Sequence, residues 1–329
     1  MERARARRPA RPEVRFDDCR ASPARASRLT GLGRVIEARE PAEVSSALDE
    51  LARAVRAGLW AGGFVTYEAA PAFDPAFEVA TRGGPPSGSM PLLWFGLFER
   101  REGAPPLEPG DDTPADPGYR LSDWTPSIDR PAYEAAVERI RELIADGQTY
   151  QVNYTFKLQA AFEGDDFALY RDLCLAQRAA DCAYVSTGRF RVLSASPELF
   201  FRVDGDRVTS RPMKGTSRRG RWVEEDREAL AVLLASSKDR AENAMIVDLI
   251  RNDLGKVSTT GTVEVPRLFD AERYETVWQL TSTVTSRLPG GAEPMDVLRA
   301  LFPSGSVTGA PKVRTMRIIA DLEDSPRGV

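Results

Sequence analysis

The run Arg211-Pro212-Met213-Lys214-Gly215-Thr216 holds the residue best suited to covalent chemistry. Lysine is scarce in this chain: only Lys157, Lys214, Lys238, Lys256 and Lys312 appear among 45 basic side chains. A chain that writes arginine wherever any cation will do has kept lysine here. Arginine stays protonated in proteins, whereas a lysine amine can lose its proton and attack carbon. At its ordinary pKa, only about one lysine amine in a thousand is neutral near pH 7.5. A nucleophilic Lys214 therefore needs burial or cationic neighbours, and Arg211, Arg218, Arg219 or a bound Mg²⁺ could supply the second. Without them it is a solvated loop cation.

Three further groups could share that chemistry. Asp239 and Glu242 lie three apart in a helical run, which puts both carboxylates on one face, where a Mg²⁺ could bridge them to an anion. The plainer reading is that acidic residues in a first turn suit the helix dipole. The small-residue run Gly305-Ser306-Val307-Thr308-Gly309-Ala310-Pro311 opens a helix, and free N–H groups there could hold a carboxylate or phosphate. It lacks Walker A spacing, and an ordinary capped turn is the alternative. Glu198, after Ser196-Pro197, is by itself a surface carboxylate at the start of a strand.

Histidine is absent, which excludes a Ser-His-Asp triad, a Cys-His pair and any histidine-held metal within this chain. Acid–base work falls to carboxylates, Lys, Tyr or water, and a metal would be a hard ion on oxygen. Cys19, Cys174 and Cys182 are widely spaced. That spacing fits a reducing cytoplasm and offers neither a disulfide framework nor a thiolate zinc site. A net charge of −4 gives no reason to expect nucleic acid or a membrane surface as partner.

The elements that must position these residues are mixed. Residues 1–12 read as a disordered basic tail without the apolar region of a signal peptide. Residues 13–118 read as a mixed region with a helix over 42–57 and a strand over 62–67. They end in a Pro, Gly, Asp and Glu-rich linker over 102–118. Residues 119–329 are more regular. Asp129 caps a helix whose face carries Tyr133, Val137, Ile140 and Ile144, closed by Gly147. A strand is predicted over 150–158, a helix over 166–178, and strands over 183–187, 190–195 and 199–212. Lys214 then falls on a Pro/Gly-bounded turn. Helices over 237–254, 293–302 and from Pro311 to Asp324 flank a strand over 275–288. Without a βαβ rhythm, the fold class is α+β with largely antiparallel sheets.

Taken together, these runs resemble the chorismate-utilising enzymes, specifically their aminodeoxychorismate synthase component I branch. The matching segments are Tyr150-Gln-Val-Asn153, Ser196-Pro-Glu198, Arg211–Thr216, Lys238-Asp-Arg-Ala-Glu-Asn243, Asp248–Asp253, Val277–Ser282 and Gly305–Lys312, in the family's order. Tyr67-Glu68-Ala69-Ala70 also looks like that branch's N-terminal region. The resemblance implies a sandwich of antiparallel sheets flanked by helices. It also implies amination of chorismate at C4 to 4-amino-4-deoxychorismate, the precursor of para-aminobenzoate and folate. Ammonia would come from a glutamine amidotransferase partner, with Mg²⁺ as cofactor.

By the same resemblance Lys214 is the nucleophile toward C2 of the ring, and Glu198 the general acid for the C4 hydroxyl. Glu242 is a Mg²⁺ ligand, with Asp239 a second acidic position there. Gly215, Thr216, Thr308 and Gly309 line the substrate. Anthranilate and isochorismate synthases carry Ala where Lys214 stands. Gln151 occupies the place of the water-activating lysine of the isochorismate enzymes. Gln279 stands where anthranilate synthases carry His, which fits retention of the enolpyruvyl group. The family continues past Val329 with further strands and a helix bearing two more Mg²⁺ ligands, so the resemblance implies a C-terminally truncated catalytic domain. Two alternatives stay open: anthranilate synthase component I, and a non-catalytic fragment that only binds its partner.

Overall fold

The computed structural model describes residues 11–80, 89–108 and 118–329. The tail expected over residues 1–12 falls almost wholly outside them, and so do residues 109–117 of the linker.

The first sheet contains β1 (Glu13–Asp18), β2 (Arg25–Ala38), β3 (Trp60–Val65), β4 (Leu93–Gly103), β5 (Asp181–Ser186) and β6 (Arg191–Ser196). The order is β6-β5-β1-β2-β4-β3, and every pair is antiparallel. β1 sits between β2 and β5, so the regions before and after residue 118 share one sheet. The division read at 118/119 marks a change of composition and not the edge of a sheet. The predicted 62–67 strand ends at Val65, and Tyr67 opens a short 3₁₀ turn. Helix α1 (Pro41–Arg56) buries Val44, Ala47, Leu48, Leu51 and Ala54. Their three- and four-residue spacing forms one apolar stripe, which packs with Ile36, Leu93 and Leu97 of β2 and β4.

Helix α2 (Arg130–Ala145) is capped by Asp129, whose Oδ1 accepts the Ala132 N–H at 2.8 Å. Its buried face is Ala136, Ile140 and Leu143, while Tyr133 and Ile144 are exposed. The stripe is thus rotated from the one read in the sequence, because Ala136 and Leu143 complete it in place of the larger end residues. The strand expected over 150–158 is reduced to Gln151–Val152 and Leu158–Gln159. Helix α3 (Asp166–Gln177) follows.

The second sheet carries the candidate site. Its strands are β7 (Leu199–Asp204), β8 (Arg207–Arg211), β9 (Met213–Arg218), β10 (Glu264–Arg273) and β11 (Val277–Arg287). β11 is the spine: β8 and β9 share one of its edges and β10 takes the other, all antiparallel. β7 pairs with β8, so the run expected as one strand over 199–212 is a hairpin. Lys214 lies within β9 and not on a turn. Pro212 has no N–H to give the ladder, and the register slips between Met213 and Thr216. The Pro and Gly signals therefore mark a break inside a strand edge.

Helix α4 (Val223–Ala235) had no counterpart in the sequence reading. It leads into α5 (Ser237–Gly255), where Ser236 Oγ accepts the Asp239 N–H at 3.2 Å. Asn243, Ile246, Val247, Ile250 and Leu254 of α5 are buried, and its apolar members pack with Val208, Val284 and α6 (Pro294–Leu301). Helix α7 (Lys312–Leu322) closes the described chain.

Candidate active site

Lys214 projects from the irregular stretch of β9. Its Nζ donates to the Ser306 carbonyl oxygen at 3.0 Å, joining the second sheet to the loop after α6. Burial pushes the amine below its ordinary value of 10.5, while the charges of Glu198 and Glu242 pull it back up. Two of the three arginines considered as pKa-lowering neighbours are engaged elsewhere, Arg211 with Glu272 and Arg219 with Asp226, and none of the three acts on the amine. Desolvation is the depressing influence.

Glu198 lies between β6 and β7. Burial raises its carboxyl above 4.5, against the Ser306 hydroxyl, the Lys214 charge and the Met213 N–H, which favour ionisation. Ser306 Oγ is buried and makes no close hydrogen bond. Ser306 thus faces both residues, with its carbonyl on the amine and its hydroxyl toward the carboxyl. The sequence reading gave it no role.

Gly215 lets β9 approach the first turn of α5. It sits at φ +97°, and a Cβ there would lie 3.0 Å from Asp239 Cβ and 3.2 Å from Leu280 Cβ. Asp239 is thereby held against β9, and Glu242 is near enough to act on Lys214. Asn243, the next residue, stitches the two strands to the helix: its Nδ2 donates to the Leu280 carbonyl of β11 at 3.1 Å and, at 3.5 Å, to the Lys214 carbonyl of β9, and its Oδ1 accepts from Ser282 Oγ at 2.6 Å. Thr216 is exposed beside them, and its hydroxyl donates to Gln279 Oε1 at 3.0 Å.

The 305–311 loop differs from the anion cradle considered from its sequence. The Val307 and Thr308 N–H groups donate to the Ser304 and Gly305 carbonyls. Thr308 is fully buried, and its hydroxyl donates to the same two carbonyls at 3.1 and 3.2 Å. Thr308 therefore shapes the loop from inside and presents neither donor outward. Gly309 presses on Gln151: at φ +144°, a Cβ would fall 2.0 Å from the Gln151 carbonyl. Beneath the loop, buried Lys312 donates to Asp253 Oδ2 at 2.6 Å and to the Leu301 carbonyl at 3.2 Å.

This arrangement brings together Lys214, Glu198, Glu242, Asp239 and Gly215, with Thr216 and Gln279 paired at the rim and Thr308 and Gly309 in the supporting loop. A family model described as chorismate binding enzyme matches residues 13–329. The chain belongs to that family. Among curated relatives, the aminodeoxychorismate synthase of Streptomyces pristinaespiralis is 47% identical over 225 residues, covering 68% of this chain and 30% of that protein. Aminodeoxychorismate synthase component 1 of Escherichia coli (strain K12) is 41% identical over 221 residues, covering 67% and 49%. The chain thus spans about a third to a half of the length of these relatives. Among solved structures, anthranilate synthase component I from Streptococcus pneumoniae TIGR4 superposes with a TM-score of 0.75 at 25% identity, covering all of this chain and 81% of that one. The α+β class and the antiparallel sheets of this chain are those of its structural neighbours.

Proposed function

We propose that this chain carries the chorismate-aminating chemistry of an aminodeoxychorismate synthase component I, converting chorismate and ammonia to 4-amino-4-deoxychorismate and water. The observation that carries the reading is the half-buried Lys214 amine, depressed in pKa and held 3.0 Å from the Ser306 carbonyl beside a half-buried carboxyl whose pKa is raised.

In this reading neutral Lys214 donates one N–H to Ser306, which leaves its lone pair free to attack ring C2. Protonated Glu198 gives its proton to the departing C4 hydroxyl, which leaves as water. The new C2–N bond forms as the C4–O bond breaks, and the ring double bonds shift between them. Ammonia then adds at C4 and Lys214 is expelled from C2. The carboxylate of Glu198 accepts the proton that the incoming ammonia loses. The amine ends para to the ring carboxylate, as para-aminobenzoate and folate synthesis requires. Ammonia is assigned to a glutamine amidotransferase subunit, consistent with the component 1 designation of the Escherichia coli relative. A reducing cytoplasm suits the three free thiols.

Asp239 and Glu242 fit a Mg²⁺: both are half-buried carboxylates on one helix face, beside the lysine. No third Asp or Glu joins them in a metal-sized cluster among the described residues, so substrate and water oxygens would complete the shell. The ion would neutralise a substrate carboxylate. Thr216 and Gln279 would contact the substrate at the rim.

The test is incubation of the purified chain with chorismate, Mg²⁺ and ammonium, followed by chromatography for 4-amino-4-deoxychorismate. A covalent substrate adduct trapped on the native chain and absent from Lys214→Ala supports the assignment. Anthranilate as product would transfer the chain to the anthranilate synthases. Chorismate left unchanged would assign the chain as a non-catalytic, partner-binding piece.

A further inference from the structure

All three cysteines of the chain converge on one point, although 155 and 8 residues separate them in sequence. Their sulfurs lie within 4.8 Å of one another. Cys19 follows β1, Cys174 belongs to α3, and Cys182 is the second residue of β5. None is in a disulfide. The spacing argument against a thiolate site fails because the fold, and not a local motif, assembles the group.

The surroundings select sulfur alone. Of the neighbouring carboxylates, Asp17 is engaged by Arg15 at 2.7 and 2.8 Å and by the Tyr170 hydroxyl at 2.8 Å, and Asp18 Oδ1 accepts the Arg20 and Ala21 N–H groups. Cys174 and Cys182 are buried with Tyr170, Ala179 and Tyr184, whereas Cys19 is only half-buried and opens the cluster to solvent. A zinc-type ion with sulfur at about 2.3 Å separates its thiolates by roughly 3.8–4.0 Å. The sulfurs reach that spacing with shifts of under about 1 Å.

We propose that Cys19, Cys174 and Cys182 form a binding site for a thiophilic divalent cation of the Zn²⁺ class, with a water as fourth ligand on the Cys19 side. Binding converts three thiols to thiolates and releases three protons to solvent, leaving a complex of net charge −1. A monovalent ion such as Cu⁺ would leave −2, a heavier charge to bury. The ion ties β1, α3 and β5 together. Because Asp181 pairs with Ser196 and Cys182 with Ala195, it also steadies the strand that leads into Glu198. The inference is independent of the reaction proposed above.

The experiment uses the reduced, metal-free chain titrated with Cd²⁺. One equivalent should produce sulfur-to-metal charge-transfer absorption, release three protons to a pH indicator, protect three thiols from alkylation, and be displaced by Zn²⁺. Thermal unfolding should shift to higher temperature as the ion binds the native state. Cys19→Ser, on the exposed side and the mildest change to the core, should weaken binding by more than the roughly 10–100-fold that losing an outer partner costs. Cys174→Ser should do the same if it folds. The proposal is overturned if excess Cd²⁺ gives no such absorption, or if the absorption survives unchanged in Cys19→Ser.

Discussion

Lys312 Nζ lies 2.6 Å from Asp253 Oδ2, and both side chains are almost completely buried. This pair joins the start of α7 to the end of α5, directly beneath the loop whose Ser306 carbonyl receives Lys214. Lys256 contacts the other oxygen of Asp253 at 2.7 Å. A buried ion pair adds little over apolar packing, but removing one member strands the other charge. Asp253→Leu, which leaves buried Lys312 without its carboxylate, is therefore expected to destabilise the protein by about 3–5 kcal/mol in urea unfolding. Adding Lys312→Met to that variant should recover a large part of the loss. A double variant no more stable than the single one would show that the pair acts by shape and not by charge.

The rate of chorismate amination should follow a bell in pH. Lys214 must be neutral and Glu198 protonated. The two breaks of the bell therefore belong to these groups, and burial moves both inside the span between 4.5 and 10.5. Initial-rate measurements across pH 4 to 11 at constant ionic strength, roughly spanning both reference values, check both limbs. A limb at or outside either ordinary value would contradict the burial argument.

Glu242 raises the Lys214 pKa through its charge. Glu242→Gln should move the Lys214 break to lower pH and increase the Mg²⁺ concentration needed for half-maximal rate. A change in Mg²⁺ requirement with that break unmoved would separate the carboxylate's metal role from its effect on the lysine.

Glu198→Gln is expected to lose about 10²–10⁴-fold in rate, the usual worth of a general acid. It should also alter stability. With its pKa raised on folding, Glu198 binds more protons folded than unfolded between 4.5 and its folded pKa, so stability falls as pH rises through that window. The variant removes this fall and should be the more stable protein at neutral pH. Lys214 has the opposite sign: between its lowered pKa and 10.5 the unfolded chain holds more protons, and stability rises with pH. Unfolding of both proteins at several pH values tests the two slopes.

Gly309→Ala should cost at least about 1–3 kcal/mol, because its Cβ would collide with the Gln151 carbonyl at a backbone angle that favours glycine. The loop carrying Ser306 would shift, and trapping of substrate on Lys214 should fall with it. Thermal unfolding and adduct yield on the same sample measure both effects.

Much of this was legible in the chain. Helical periodicity placed α1, α3, α5, α6 and α7 within a few residues, because their apolar stripes and caps are local. Scarcity singled out Lys214, and the same scarcity applied to Lys312, whose role needed a partner 59 residues away to be seen. Ser306 and Asn243 are ordinary polar residues, and their importance lies in which backbone groups they meet across the fold. The Pro212–Gly215 stretch read as a turn because residue preference cannot tell a loop from an interrupted strand edge. Thr308 was expected to line the substrate, and only the loop's own path shows that the Ser304 and Gly305 carbonyls claim its hydroxyl.

The bond from Lys214 to Ser306 spans 92 positions of chain. A ribosome adding roughly 5–20 residues per second needs about 5–18 s to deliver the second partner after the first. Throughout that interval Lys214 has no loop to desolvate it, and it remains an ordinary protonated surface amine. On the nascent chain Lys214 is thus exposed only as the protonated amine, which cannot act as a nucleophile.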